Sequence, residues 1–404
     1  MEPNPTKPLS GKLVLDLTNV LAGPFCCHQL AQFGARVIKV EPPGRGDLAR
    51  QLGADAQLNE SRMGVSFLAQ NAGKESLTLN LKHPTGKDLL MQLVRRADVL
   101  VENFRPGVMT RLGLDWPTLK AVNPSLIYCA ISGFGQTGPW VDRPAYDQVV
   151  QGLAGVMSVT GAPDDGPMRV GYPVSDTIGG LTAAMAICAA LPAAKDSGGG
   201  RFIDVSMLEA TLASMGWVVS NYLIAGQTPA QQGNENATSA PSGLFEASDG
   251  PLNIAANKDE QWQTLARLIG REDLIDHPDY LNREQRKRHR LALRSEINKA
   301  LANRTSQQWA DILNAASVPA GPVLSVPQVL SSEQLRARSL LSRYDDVPGV
   351  DRPIDVISSG VKLNGQPTSV DEPPPVLGQH TAAILGELGQ SPAQIEALKA
   401  AGVI

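Results

Sequence analysis

The sequence predicts an α/β protein: a parallel, doubly wound sheet accompanied by a smaller α+β domain. Three observations carry that expectation. Short apolar strands alternate with helical segments across 12–41 and 71–135. A chain of 404 residues is too long for one ordinary core. The polar stretch TPAQQGNENATSAPSG at 228–243 then separates this half from a charge-dense region, reading as a linker or exposed loop. Residues 1–225 thus form a large domain, 226–325 the small one, and 326–404 a closing segment of short strands and a terminal helix.

Each element has a local reason. KLVLDLT (12–18) is an apolar strand ending near Asp16 and Thr18, and the turn NVLAGP leads into a helix, FCCHQLAQFG, stopped by Gly34. ARVIKVE (35–41) is the second strand, ended by Glu41 and followed by the loop PPGRGD, so strand, helix and strand over 12–41 make a βαβ unit. An acid at Glu41 is where a dinucleotide fold holds ribose hydroxyls. The first turn lacks GxGxxG, however, which argues against a nicotinamide cofactor. SLTLNL (76–81), DVLVEN (98–103) and SLIYCAISGFG (125–135) are further strands. PTGKDLLMQLVRRA, with Pro84 near its start, and LDWPTLKAVNP are the helices between them. Ligands of such sheets sit beyond the carboxyl ends of the strands, here at Asn19–Pro24, Glu41–Asp47, Asn103–Gly107 and Gly133–Pro139.

The stretch GPMRVGYPVSDTIGGLTAAMAICAAL (166–191) places Asp176 between a turn-rich segment and an apolar helix. Taken alone, Asp176 reads as a helix N-cap. A strand at 202–206 and one long apolar helix follow, then a hairpin turning at Asp249–Gly250 and solvated helices over 271–301. The RKRHR run (286–290) is a helix face among acids, and VPAGPVLSV (318–326) is a connector.

The net charge of −4 without a basic block gives no reason to expect nucleic acid or an anionic membrane as partner. No window holds 18 uninterrupted apolar residues and the first residues lack an apolar core, so a soluble, cytoplasmic protein is expected. Cys26, Cys27, Cys129 and Cys188 lie in apolar runs and read as buried free thiols. With five scattered histidines they form no metal pattern, and neither a P-loop nor GxSxG occurs. What remains is basic residues near strand ends. Lys82, Arg105, Arg111 and Arg143 suit phosphates, although any one of them alone is an ordinary surface charge.

VLDLTNVLAGP (14–24), FGARVIKVEPPGRGD (33–47), LTLNLK (77–82) and VENFRPGVMTRLGL (101–114) resemble the family III CoA-transferases. GFGQTGP (133–139), GYPVSDTIGGL (171–181) and PPPVLGQHTAAIL (373–385) do so as well, so the resemblance spans essentially the whole chain. VLAGPF, GQTGP, SNYLIAG and PPPVLGQHT look most like the members that use succinyl-CoA and a second dicarboxylic acid.

The resemblance implies a Rossmann-like large domain, a small domain, a C-terminal segment returning to the large one, and two ring-like chains interlocked as a homodimer. It puts the catalytic aspartate at Asp176. CoA binding falls on Leu21, Ala22, Leu79, Lys82, Asn103, Phe104, Arg105 and Arg111, with Arg143 and Tyr146 further out. The family's arginine after the second strand is Pro42 here, leaving Arg45 or Arg50 for that phosphate. CoA and acyl-CoA are substrates, and neither a bound cofactor nor a metal is called for. Backbone N–H groups around Thr177–Gly180, including those of Gly179 and Gly180, are the expected oxyanion donors, and a helix-start Asp176 is expected to stay anionic. The acceptor pocket is expected to draw on Gly233–Gly243 and Asn257, with Arg169 or Lys258 meeting a distal carboxylate.

Two rivals stand beside transfer. A 2-methylacyl-CoA racemase needs a second acid/base, and where related racemases carry a histidine this chain has Tyr146, a phenol and so a poor base near neutral pH. A non-catalytic CoA-binding protein would not require the Asp176 carboxylate.

Overall fold

The computed structural model describes residues 7–197 and 199–404. They divide into two units, each compact in itself. The first comprises Met1–Val156, Arg169–Gly226 and Glu333–Ile404, and the second Met157–Met168 and Gln227–Ser332. The second therefore takes in a short piece, 157–168, that sequence alone assigned to the large domain. Gln231 anchors it, donating from Nε2 to the Thr160 carbonyl at 2.6 Å.

In the first unit, β1 (Leu13–Asp16), β2 (Arg36–Glu41), β3 (Lys74–Thr78), β4 (Val99–Glu102), β5 (Ile127–Ser132) and β6 (Arg201–Ser206) form one sheet in the order β3-β2-β1-β4-β5-β6. Every pairing in it is parallel. That order reverses direction beside β1, the doubly wound arrangement whose ligands lie at the switch point between β1 and β4.

Alternation along the strands explains the layers. Val14, Val37, Val99 and Cys129 face α1 (Ala22–Gln32) and the long helix Val174–Ser197, whereas Leu15, Ile38, Leu100 and Tyr128 face the helices Pro84–Val94 and Trp116–Val122. Both faces are covered, so the central strands carry apolar side chains toward each layer. We number the helices α1, α2 (Pro84–Val94), α3 (Trp116–Val122), α4 (Asp147–Leu153), α5 (Val174–Ser197), α6 (Met207–Ser214) and α7 (Gly216–Ala225). By length and composition 174–194 of α5 matches a membrane span, yet it packs on α1, β5 and β6 as a covering helix. The C-terminal segment adds to β3: Asn80 N–H donates to the Val403 carbonyl at 2.7 Å, and His380 N–H to that of Ser76 at 2.9 Å.

Several expectations shift. Helix α1 begins at Ala22, three residues before the apolar run, and β3 begins at Lys74. The long apolar segment after β6 is two helices broken at Met215. Cys188 is exposed, because it lies on the outer side of α5, while Cys26, Cys27 and Cys129 are buried free thiols.

In the second unit β7 (Ser242–Ala247) and β8 (Gly250–Ala255) form the hairpin, and β9 (Ala320–Pro322) adds a third antiparallel strand inside the expected connector. Trp262, Leu265, Leu293, Ile297 and Trp309 fill its core. Arg286 is buried rather than solvated, donating to the carbonyls of Ala240 (2.8 Å) and Tyr280 (3.1 Å) and pairing with Asp259.

Candidate active site

A cleft of about 760 Å³ opens at the carboxyl ends of β1–β4, where the switch point predicts it. Thr18, Asn19, Arg45, Leu79, Lys82 and Phe104 are among the residues lining it. Four of the expected binding residues are thus brought together, and the side chains of Arg45 and Lys82 are exposed, with room to meet an anionic ligand.

The charged residues behind that wall are committed elsewhere. Arg50 is fully buried and grips Glu41 with two hydrogen bonds, Nε to Oε2 at 2.7 Å and Nη2 to Oε1 at 2.8 Å. Ser76 Oγ and Asp47 N–H complete the Glu41 shell. Glu41 therefore holds the loop after β2 rather than a ribose, and of the two candidate phosphate arginines only Arg45 is free to act. Asn103 is likewise occupied: its amide exchanges two 2.8 Å hydrogen bonds with the backbone of Asn19, clamping the β1 and β4 loops.

Glu102 lies beneath Phe104, accepting from the Phe104 N–H and from the Tyr128 hydroxyl. Burial pushes its carboxyl up to about 7. Arg105, Arg111, Arg143 and Tyr146 are exposed and outside the cleft lining, Arg143 resting 4.7 Å over the Trp140 ring.

Asp176 is half-buried in the first turn of α5 rather than at its cap. The cap comes from another helix. Asp147, which opens α4, accepts from the backbone N–H of Ser175 at 2.8 Å and of Asp176 at 3.3 Å through Oδ1, and from Gln151 Nε2 at 2.6 Å through Oδ2. Val174 N–H donates to the Tyr172 carbonyl and Thr177 N–H to that of Pro173. The first four N–H groups of the helix are therefore all used, and from Ile178 onward they lie within the helical ladder. This corrects the expected oxyanion donors at Thr177–Gly180.

Gly179 and Gly180 serve packing instead. A Cβ at Gly180 would lie 2.6 Å from the Ala22 carbonyl oxygen, and one at Gly179 would lie 2.9 Å from Met207 Cγ. The contact at Gly180 seats the helix carrying Asp176, one turn away, directly on the Leu21–Ala22 turn.

The helix-start field does not keep Asp176 acidic either. Burial, and secondly the Asp147 carboxylate, raise its carboxyl to about 7. Sequence reasoning missed Asp147; the available signal was an acid opening a helix with a glutamine one turn on, a pattern too common to single out.

The comparisons agree with this geometry. The sequence pattern described as CoA-transferase family III matches residues 9–381. An acetyl-CoA:oxalate CoA-transferase of Acetobacter aceti is 40% identical over 91% of this chain and 90% of its own length. A succinate–glutarate CoA-transferase of Agrobacterium fabrum is 37% identical over 96% of this chain and 97% of its own. The crystal structure of a CAIB/BAIF family protein from Brucella suis superposes with a TM-score of 0.83 at 33% identity, covering 95% of this chain and all of that one. With a parallel six-stranded sheet, a cleft at its switch point and this likeness over nearly its full length, the chain belongs to CoA-transferase family III.

Proposed function

We propose that this CoA-transferase moves CoA from succinyl-CoA to a second dicarboxylic acid, with Asp176 as the nucleophile. The observation that carries the reading is a half-buried carboxylate with no ion-pair partner among the described residues, on a helix packed against the β1–α1 turn beside the cleft. The Asp176 carboxylate attacks the thioester carbonyl, forming a mixed anhydride and expelling CoA thiolate. The thiolate then attacks the aspartyl carbonyl, giving an aspartyl-CoA thioester and the free donor acid. The acceptor carboxylate attacks that thioester, thiolate leaves again, and its attack on the acceptor acyl carbon regenerates Asp176. One thioester is broken and one made. In the cleft, Arg45 and Lys82 would meet the phosphates of CoA and Leu79 and Phe104 its apolar parts.

Relatives named for glutarate, oxalate and D-citramalate support a dicarboxylate acceptor. Arg169 is the candidate for its distal carboxylate. It is exposed, and the next residue, Val170, donates from its N–H to Gln151 Oε1, the side chain that also holds Asp147. Lys258 belongs to the second unit. The interlocked homodimer is part of the same reading, supported by α7, which buries none of its residues and leaves Trp217 87% and Ile224 85% exposed.

The test is to incubate the protein with succinyl-CoA and a panel of free dicarboxylic acids, follow new CoA esters by mass, and quench with hydroxylamine. Label on a peptide containing Asp176 is expected. New CoA esters without any label there would refute the nucleophile, and α-deuterium exchange without new esters would favour racemisation. Light scattering that finds only monomer would remove the homodimer.

A further inference from the structure

One buried carboxylate ties together the two loops that wall the cleft. Asp47 ends the loop after β2, and its Oδ1 accepts from Val20 N–H at 2.9 Å and Ala49 N–H at 2.8 Å. Its Oδ2 lies 2.8 Å from Lys39 Nζ, and Lys39, wholly buried on β2, also donates to the Thr18 carbonyl at 2.9 Å. Val20 itself sits at φ 68°. A β-branched residue is strained in that left-handed region and stays there only when its surroundings hold it. The turn is tight as well: a Cβ at Gly23 would lie 2.3 Å from Thr18 Cβ.

We infer that Asp47 and Lys39 are positioning residues for acyl-CoA, holding Val20 in its strained conformation so that the Thr18–Ala22 turn and the Arg45 loop stand at a fixed separation before ligand arrives. The inference rests on reading the cleft as the CoA site. A ligand entering walls that are already set loses less free energy to ordering them, so the device acts on affinity. The simpler alternative is an ion pair that serves stability alone. The two differ in what Val20 does. If the pair works by holding strain, glycine at position 20, which adopts that φ freely, makes the hold dispensable.

The experiment measures KM for succinyl-CoA, kcat and Tm in wild type, Asp47→Asn, Val20→Gly and the Val20→Gly/Asp47→Asn double variant. Asp47→Asn is expected to raise KM roughly tenfold or more while kcat stays within about threefold. The double variant is expected to return KM to within about threefold of wild type. A lower Tm with unchanged KM, or a double variant no better than Asp47→Asn, overturns the inference. Should Asp47→Asn not fold, Lys39→Met/Asp47→Asn leaves no lone buried charge and carries the same expectations with and without Val20→Gly. Arg45→Ala serves as the control. If its KM rises while that of Asp47→Asn does not, only the positioning role is lost; if KM is unmoved in Arg45→Ala, the cleft is not the CoA site and both readings fall.

Discussion

Two clusters of carboxylates in the first unit have opposite fates. At the ends of β1–β3, Asp16, Glu41 and Asp47 are buried with Lys39, Lys74 and Arg50. Burial alone would raise the Asp16 carboxyl, but Lys39 and Lys74 outweigh it and hold it below its ordinary value. At the start of α5, Asp176 has, among the described residues, another carboxylate, Asp147, as its charged neighbour, and burial together with that charge raises its carboxyl to about 7. Three acids matched by three cations build walls. Asp176 has no cation beside it among the described residues, and in the proposed reaction it is the acid that attacks the thioester.

The sharpest way to break that contrast is Asp176→Ala. Transfer should fall by roughly 10³-fold or more with Tm little changed, and persistence of the aspartyl intermediate's chemistry would place the nucleophile elsewhere. Next is Arg50→Met, which leaves Glu41 buried and unpaired. It should cost about 3–5 kcal/mol in chemical denaturation, and a loss below about 1 kcal/mol would show that the walls do not depend on charge matching.

The pH response separates the clusters further. The nucleophile must be ionised, so kcat/KM for succinyl-CoA should rise with pH through about 7. The folded protein binds this proton more tightly than the unfolded chain, so the carboxyl's contribution to stability is full below the unfolded value near 3.8 and is lost as pH rises through about 7. Asp176→Asn should therefore melt higher than wild type at pH 8, by roughly 2–5 °C, and show no such gain at pH 4. A flat difference between those pH values would mean that Asp176 titrates normally. Smallest is Arg169→Ala, expected to raise KM for the acceptor acid by about tenfold with KM for succinyl-CoA unchanged. Equal shifts in both would remove Arg169 from acceptor recognition.

The sheet and its helices were legible because their signal is local. Runs such as LVLD and RVIKVE, closed by turns, state strand and period without knowledge of partners. The switch-point cleft followed from topology, and Arg45, Leu79, Lys82 and Phe104 do line it. Much less legible was which charges are free. Glu41 and Arg50 look from the sequence like ligand groups, yet they hold each other. Arg286, in a run that reads as solvated, is buried by carbonyls from Ala240 and Tyr280. Gly179 and Gly180, one turn from Asp176, lie where Met207 and Ala22 come too close for a side chain.

By itself, then, the sequence determined the alternation of strands and helices and the helix that carries Asp176, since each depends on periodicity and turn chemistry within a few residues. Tertiary structure alone decided that Asp147, 29 positions earlier, caps that helix and that Asp176 has no cation beside it among the described residues. Hydrogen bonds and Coulomb interactions act across space within a few ångströms, and residues that meet there carry no mark of one another along the chain.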